Sequence, residues 1–139
     1  MFVRNYCALS PLVPRLIVLV KYWAKRRGIN NPARFSPNSY VYTLLVIFYL
    51  IQQKILPAPV MDSDSCQLEK QGSLVFPAFL PPPALPAAPS LPLSSLLMGF
   101  FRYFALEFPY DSGCAGLRKG AVIPKEVTKC FLTNSPMHF

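Results

Sequence analysis

Apolar residues recur at helical spacing along the first third of the chain. Leu16, Leu19, Val20 and Trp23 form one stripe between Arg15 and Arg27, while Lys21 and Lys25 share another face. Pro14 suits an early helix position, where its missing N–H costs nothing, and Gly28 suits the residue just past the end. Ile17 and Val18 widen the apolar surface, which predicts a helix buried on more than one side. Residues 1–13 read as a turn or a lead-in to that helix. Asn30, Asn31 and Pro32 then mark a loop through Phe35. Ser36 followed by Pro37 has the pattern of an N-cap with proline at the first helical position. It predicts a second helix with Asn38, Ser39 and Tyr40 in its first turn, running to about Lys54 before Pro57. The body of that helix, VYTLLVIFYLI, is β-branched enough to permit a strand, but its length and start signal favour helix.

The pattern changes at Pro57. Seven prolines fall within FPAFLPPPALPAAPSLPL, a density that prevents helix and sheet and favours extended polyproline II. Residues 57–92 therefore read as a flexible, disordered proline-rich insert. Pro83 and Pro86 have the minimal PxxP spacing of a docking ligand for a proline-motif-binding partner, a spacing that such composition also produces by chance. Ser94 or Ser95 then caps a third helix, LLMGFFRYFALEF. Leu96, Leu97, Phe100, Phe101, Phe104 and Phe108 give it a heavy aromatic face of the kind that forms a core. Gly99 weakens this helix by about 1 kcal/mol relative to alanine unless a neighbouring element needs the space. Residues 109–139 are turn-rich, with one short strand expected near Ala121 to Ile123. The fold class is thus mainly α, in three parts: a helical segment over 1–56, the insert over 57–92, and a helix with an irregular tail over 93–139.

Composition sharpens this picture in two places. The net charge of +8 comes from 14 basic and 6 acidic residues, and Arg15, Lys21, Lys25, Arg26, Arg27 and Arg34 concentrate it on the first helix and its exit. Such a balance favours polyanionic partners, although a solvated helix face is the ordinary explanation. Cys7, Cys66, Cys114 and Cys130 have no short metal-ligand spacing, and the single histidine is His138, so free thiols in a reducing compartment are expected. Pro11, Pro14 and Arg15 interrupt any signal-peptide core. The apolar run over Val41 to Ile51 falls short of the roughly 20 residues of a membrane span, so no stable span is expected.

Lys21 and Lys25 emerge roughly 5–6 Å apart at Cβ. Ser39, at the positive end of the next helix, adds a hydroxyl and a backbone N–H, so donors of three kinds would converge on one anion. Tyr40 beside it offers a flat surface for a base. The segments VLVKYWAKRRGINNP and SPNSYVYTLLVIFYLI closely resemble the stretch that follows the catalytic domain in RNA terminal uridylyltransferases and non-canonical poly(A) polymerases. LSSLLMGFFRYFALEF is similar to that family's PAP-associated region, LRKGAVIPKE resembles the strand-turn segment after it, and RNYCALSPLVPR aligns upstream.

This resemblance implies that Lys21 and Lys25 contact the triphosphate of an incoming UTP or ATP, that Ser39 binds its terminal phosphate, and that Tyr40 stacks on its base. It also implies an RNA 3′ end as partner and a cytoplasmic or nuclear setting. In the intact family two aspartates of a D-x-D motif and a third on a later strand hold two Mg2+ or Mn2+ ions, all ahead of the lysine helix. None of the twenty residues before Lys21 is acidic, and Ser10-Pro11-Leu12 stands where the family often has Asp-x-Arg. Asp62-Ser63-Asp64 lies on the wrong side of the second helix and reads as a solvated turn. No catalytic or metal-binding residue is therefore assigned. The expectation is a truncated member that is inactive alone; the alternative is a non-catalytic scaffold module that binds RNA or a protein partner.

Overall fold

The computed structural model describes residues 2–34, 36–59, 91–117 and 119–125, together with the backbone of 68–71 and 74–77. Four α-helices carry the fold: α1 (Phe2–Leu9), α2 (Leu12–Arg26), α3 (Ser39–Gln52) and α4 (Leu93–Arg102). Two antiparallel hairpins accompany them, β1 (Leu68–Gln71) with β2 (Leu74–Pro77) and β3 (Gly113–Gly116) with β4 (Ala121–Pro124).

α3 is the centre of the core. Eight of its fourteen residues are buried, including Val46, Ile47, Phe48 and Leu50, so it is covered on several sides. This accounts for its nearly uniform apolar sequence, since a surface helix needs only one apolar stripe. α2 packs against it through Val13, Leu16, Ile17, Val20 and Ala24. The buried stripe of α2 thus lies about one position away from the one read in the sequence. Val18 is exposed, Leu19 is only half-covered, and Trp23 leans on Phe101 with ring centroids 4.7 Å apart. α4 contributes Leu96 and Phe100, and its partly buried Leu97 and Phe101, with Phe104 just beyond it, pack against the core.

Helix boundaries differ from expectation for local reasons. The first residues form α1 rather than a lead-in, because Tyr6 is almost fully buried and its hydroxyl donates to the Pro57 carbonyl at 3.0 Å. α2 starts two residues before Pro14, and the buried Ser10 hydroxyl accepts the Leu12 N–H. α3 starts at Ser39 because Asn38, not Ser36, is its cap: the Val41 N–H donates to Asn38 Oδ1 at 3.0 Å. Ser36 instead closes the preceding loop on both backbone groups of Asn31. α4 begins at Leu93 with Pro92 ahead of it, so Ser94 and Ser95 lie inside the first turn and cap nothing.

α4 passes directly into a π-helical turn, Tyr103–Glu107, closed by the Phe108 N–H on the Tyr103 carbonyl at 2.9 Å. In unbroken α geometry Glu107 would follow Tyr103 on the core face. The wider turn moves Phe108 there, with its ring 6.3 Å from that of Phe48. Gly99 has the neighbour that its position required, since a Cβ there would collide with the Tyr49 hydroxyl.

The expected strand near Ala121 exists as β4, and it pairs with β3, which the sequence did not signal. This hairpin replaces the start of the expected irregular tail. It docks on the end of α3, where the Gln52 side-chain amide donates to the Gly120 carbonyl at 2.8 Å. β1 and β2 pair from Leu68↔Pro77 to Gln71↔Leu74 within the span read as an insert, so Phe76 and Pro77 of the proline-dense stretch lie in a strand, while residues 78–90 of it lie outside the described residues. Asp62, Asp64, Cys66, Pro83, Pro86, Cys130 and His138 also lie outside them. Cys7 and Cys114 are free thiols, and burial raises the pKa of Cys7. Among the described residues no single helix is long and apolar enough to cross a membrane; α1 and α2 pass only as a pair bent by 118°.

Candidate nucleotide-binding site

The four candidate residues sit on two helices joined by one fastened loop. α2 ends in a Schellman closure: the Gly28 N–H donates to the Lys25 carbonyl at 3.1 Å and the Ile29 N–H to the Ala24 carbonyl at 3.1 Å. Gly28 is at φ +67°, the conformation that this closure requires. The loop is then tied to the helix that it feeds. The Tyr42 hydroxyl donates to the Ile29 carbonyl at 2.7 Å, and the Asn30 side-chain amide donates to Ser39 Oγ at 2.8 Å. These bonds set the last turn of α2, which carries Lys25, beside the first turn of α3, which carries Ser39 and Tyr40.

The first turn of α3 is furnished for an anion. Asn38 Oδ1 takes the Val41 N–H and the Asn38 carbonyl takes the Tyr42 N–H. The N–H groups of Ser39 and Tyr40 precede the first intrahelical bond and have no acceptor among the described residues. Ser39 Oγ already accepts from Asn30, which leaves its own hydrogen to donate outward. Its carbonyl is held by the Thr43 hydroxyl at 3.0 Å. Tyr40 is 58% exposed.

Lys21 is half-buried and Lys25 exposed, on the same face of α2 one turn apart. Neither forms an ion pair among the described residues, where Arg102 and Glu107 make the pair at 3.3 Å. Arg26 lies over the Tyr22 ring, 5.9 Å from its centroid, on the exposed side of the same helix.

Sequence reasoning proposed Lys21, Lys25, Ser39 and Tyr40 as candidates, and the structure carries Ser39 and Tyr40 together at one helix start. It missed Asn30 and Tyr42. Asn30 read only as a turn former and Tyr42 only as core, yet these two polar groups fasten the loop. An amide side chain just past a helix-ending glycine, nine residues before a serine at the next helix start, was the available signal. The described residues contain no cluster of three or more histidines, cysteines or carboxylates able to hold a metal ion.

No family model matches the chain. It is 33% identical over 128 residues to poly(A) RNA polymerase GLD2-A of Xenopus laevis, covering 88% of this chain and 25% of that protein. Against poly(A) RNA polymerase GLD2 of Homo sapiens the identity is 31%, covering 88% and 26%. The solved structure of Cid1 in complex with the UTP analog UMPNPP superposes with a TM-score of 0.74 at 26% identity, covering 90% of this chain and 42% of that one. The Cid1 poly(U) polymerase bound to MgGTP gives a TM-score of 0.70 at 27% identity, covering 90% and 40%. The chain spans about a quarter of the length of the curated relatives that it matches. Over this matched stretch the chain is similar to non-canonical poly(A) polymerases and to poly(U) polymerase structures, as one part of such a protein would be.

Proposed function

We propose that this chain is the nucleotide-cradling helical part of an RNA 3′-terminal nucleotidyltransferase. Lys21 and Lys25 hold the triphosphate of UTP or ATP, the Ser39 hydroxyl and the start of α3 hold its terminal phosphate, and Tyr40 stacks on the base. One observation supports this reading above the rest: Asn30 donates to Ser39 Oγ and so turns the serine into an outward donor at a positive helix end. A pre-set donor of this kind binds an anion with little reorganisation.

The intact relatives' chemistry joins a nucleotide to an RNA 3′ end, and we propose the same reaction class for the protein in which these helices work, in the cytoplasm. Mg2+ or Mn2+ would steady the triphosphate there. The described residues offer no donor set for such an ion, so no step through a metal is assigned to them. Within the 139 residues no carboxylate stands ahead of Lys21, and this chain by itself is expected not to extend RNA.

The test is a titration of fluorescent UTP and ATP, each with MgCl2, against the wild type and a Lys21→Ala/Lys25→Ala variant. At least tenfold weaker binding by the variant is expected, at unchanged helicity. Equal weak binding by both proteins overturns the cradle and leaves the non-catalytic scaffold reading. Primer extension by the purified chain, abolished by chelation, overturns the expectation of inactivity.

A further inference from the structure

At the opposite end of α3 from Tyr40, roughly 14 Å along the helix axis, a cleft opens against α4. Its volume is about 320 Å3, at the low end of the roughly 300–1,000 Å3 of small-ligand pockets. Tyr49 forms its back wall, Ser95, Leu96 and Gly99 line the α4 side, and Arg102 and Glu107 stand at the rim. Gly99 makes room for the Tyr49 hydroxyl, which sits where a Cβ on residue 99 would otherwise lie.

Tyr49 is only 3% exposed, yet its hydroxyl makes no hydrogen bond with any described residue. Its donor capacity is therefore not taken up by the described protein groups and is available to whatever occupies the cleft, water included. Burial, and secondly the Glu107 carboxylate, raise the pKa of this phenol, so it remains a protonated donor across the ordinary pH range. At the rim Arg102 is matched by Glu107 at 3.3 Å. The mouth therefore carries balanced charge and gives a phosphate no net cation, in contrast to the lysine pair at the other end. Buried Ile55 and exposed Leu91 add apolar surface to the lining, and the exposed Gln53 adds an amide.

We infer that this cleft is a second ligand site, which takes a small uncharged organic molecule with an apolar body and a carbonyl oxygen that accepts a hydrogen bond from Tyr49. It is independent of the nucleotide reading, since none of the cradle residues lines it.

The test uses the full 139-residue chain labelled with 15N, with N-acetyl-leucinamide as probe and inorganic phosphate as control. Saturable shifts of the Ser95 and Gly99 amides with the amide probe, and none with phosphate, are expected. Tyr49→Phe keeps the ring and removes the donor, so it should weaken probe binding at least fivefold while leaving Tm equal or higher. Ser95→Trp, built on an exposed position of the cleft wall, should abolish the shifts without unfolding the chain. No saturable shift, equal affinity in Tyr49→Phe, or a larger response to phosphate overturns the proposal. So does a Tm loss of several degrees in Tyr49→Phe, which would mean that the hydroxyl is already bonded within the protein.

Discussion

Lys54 sits at φ 57°, the left-handed conformation, one residue beyond the cap of α3. Its N–H donates to the Ile51 carbonyl at 2.9 Å and the Ile55 N–H to the Leu50 carbonyl at 3.0 Å, the same closure that Gly28 makes for α2. A side chain in this region costs roughly 1–2 kcal/mol relative to the right-handed form. Lys54→Gly is therefore expected to raise unfolding free energy by about 0.5–1 kcal/mol, read as a higher urea midpoint with unchanged m. Gly120→Ala should do the reverse by more than about 1 kcal/mol. Gly120 is at φ +60°, and a new Cβ would lie 2.9 Å from the Ala58 Cβ. At this scale the sequence was informative about glycine and blind to Lys54, because a strained lysine looks like any other at a helix end.

Elements were legible where their pattern was long. α2, α3 and α4 follow from apolar spacing, but α2 is not buried on more than one side as Ile17 and Val18 suggested, since Val18 is 65% exposed and α2 buries a single stripe. Their starts were harder, because Ser36 and Asn38 are both good caps and tertiary contacts decide between them. Asn38→Ala is expected to cost about 1 kcal/mol by thermal unfolding and to weaken UTP binding, since it loosens the turn that carries Ser39. Ser36→Ala should change UTP binding less, its bonds being confined to the loop at Asn31. α1 escaped notice because its one fully buried side chain, Tyr6, depends on a partner 51 residues away. β3 escaped for a different reason: Gly113-Cys114-Ala115-Gly116 has neither alternation nor branched residues, and only pairing with β4 makes it a strand. The placement of Lys21 and Lys25 on one face of α2 and of Ser39 in the first turn of α3 was readable from spacing, whereas the Asn30 clasp depends on a loop closure that no periodicity encodes.

For the whole molecule, buried phenols set an alkaline limit. Burial pushes the Tyr6 pKa up to about 12 from 10, and it also raises those of Tyr42, Tyr49 and Tyr103. Above pH 10 the unfolded chain loses the Tyr6 proton while the folded one keeps it, so the folded state binds more protons and stability falls with rising pH. The contribution is fully present below pH 10 and is lost through about pH 12, at roughly 3 kcal/mol for Tyr6. Tyr6→Phe should flatten that alkaline decline in a Tm-against-pH series. The outer side of α2 sets a different limit. Val18 and Tyr22 are 65% and 62% exposed, and Val18 and Leu19 border an apolar groove of about 410 Å3 with Pro14 and Leu93. Val18→Lys is expected to leave Tm unchanged, because the Val18 side chain is already largely exposed.

The π-helical turn has a consequence at the level of the gene. One codon is the difference between this turn and plain α-helix. Deleting Leu106, which is 79% exposed, would bring Glu107 to the fourth position after Arg102 and Phe108 to the fourth after Tyr103. Ion pair and aromatic contact would both survive in regular register. A chain shortened there should fold with its ring still against Phe48, which makes this stretch a place where the lineage could gain or lose a residue without losing its core.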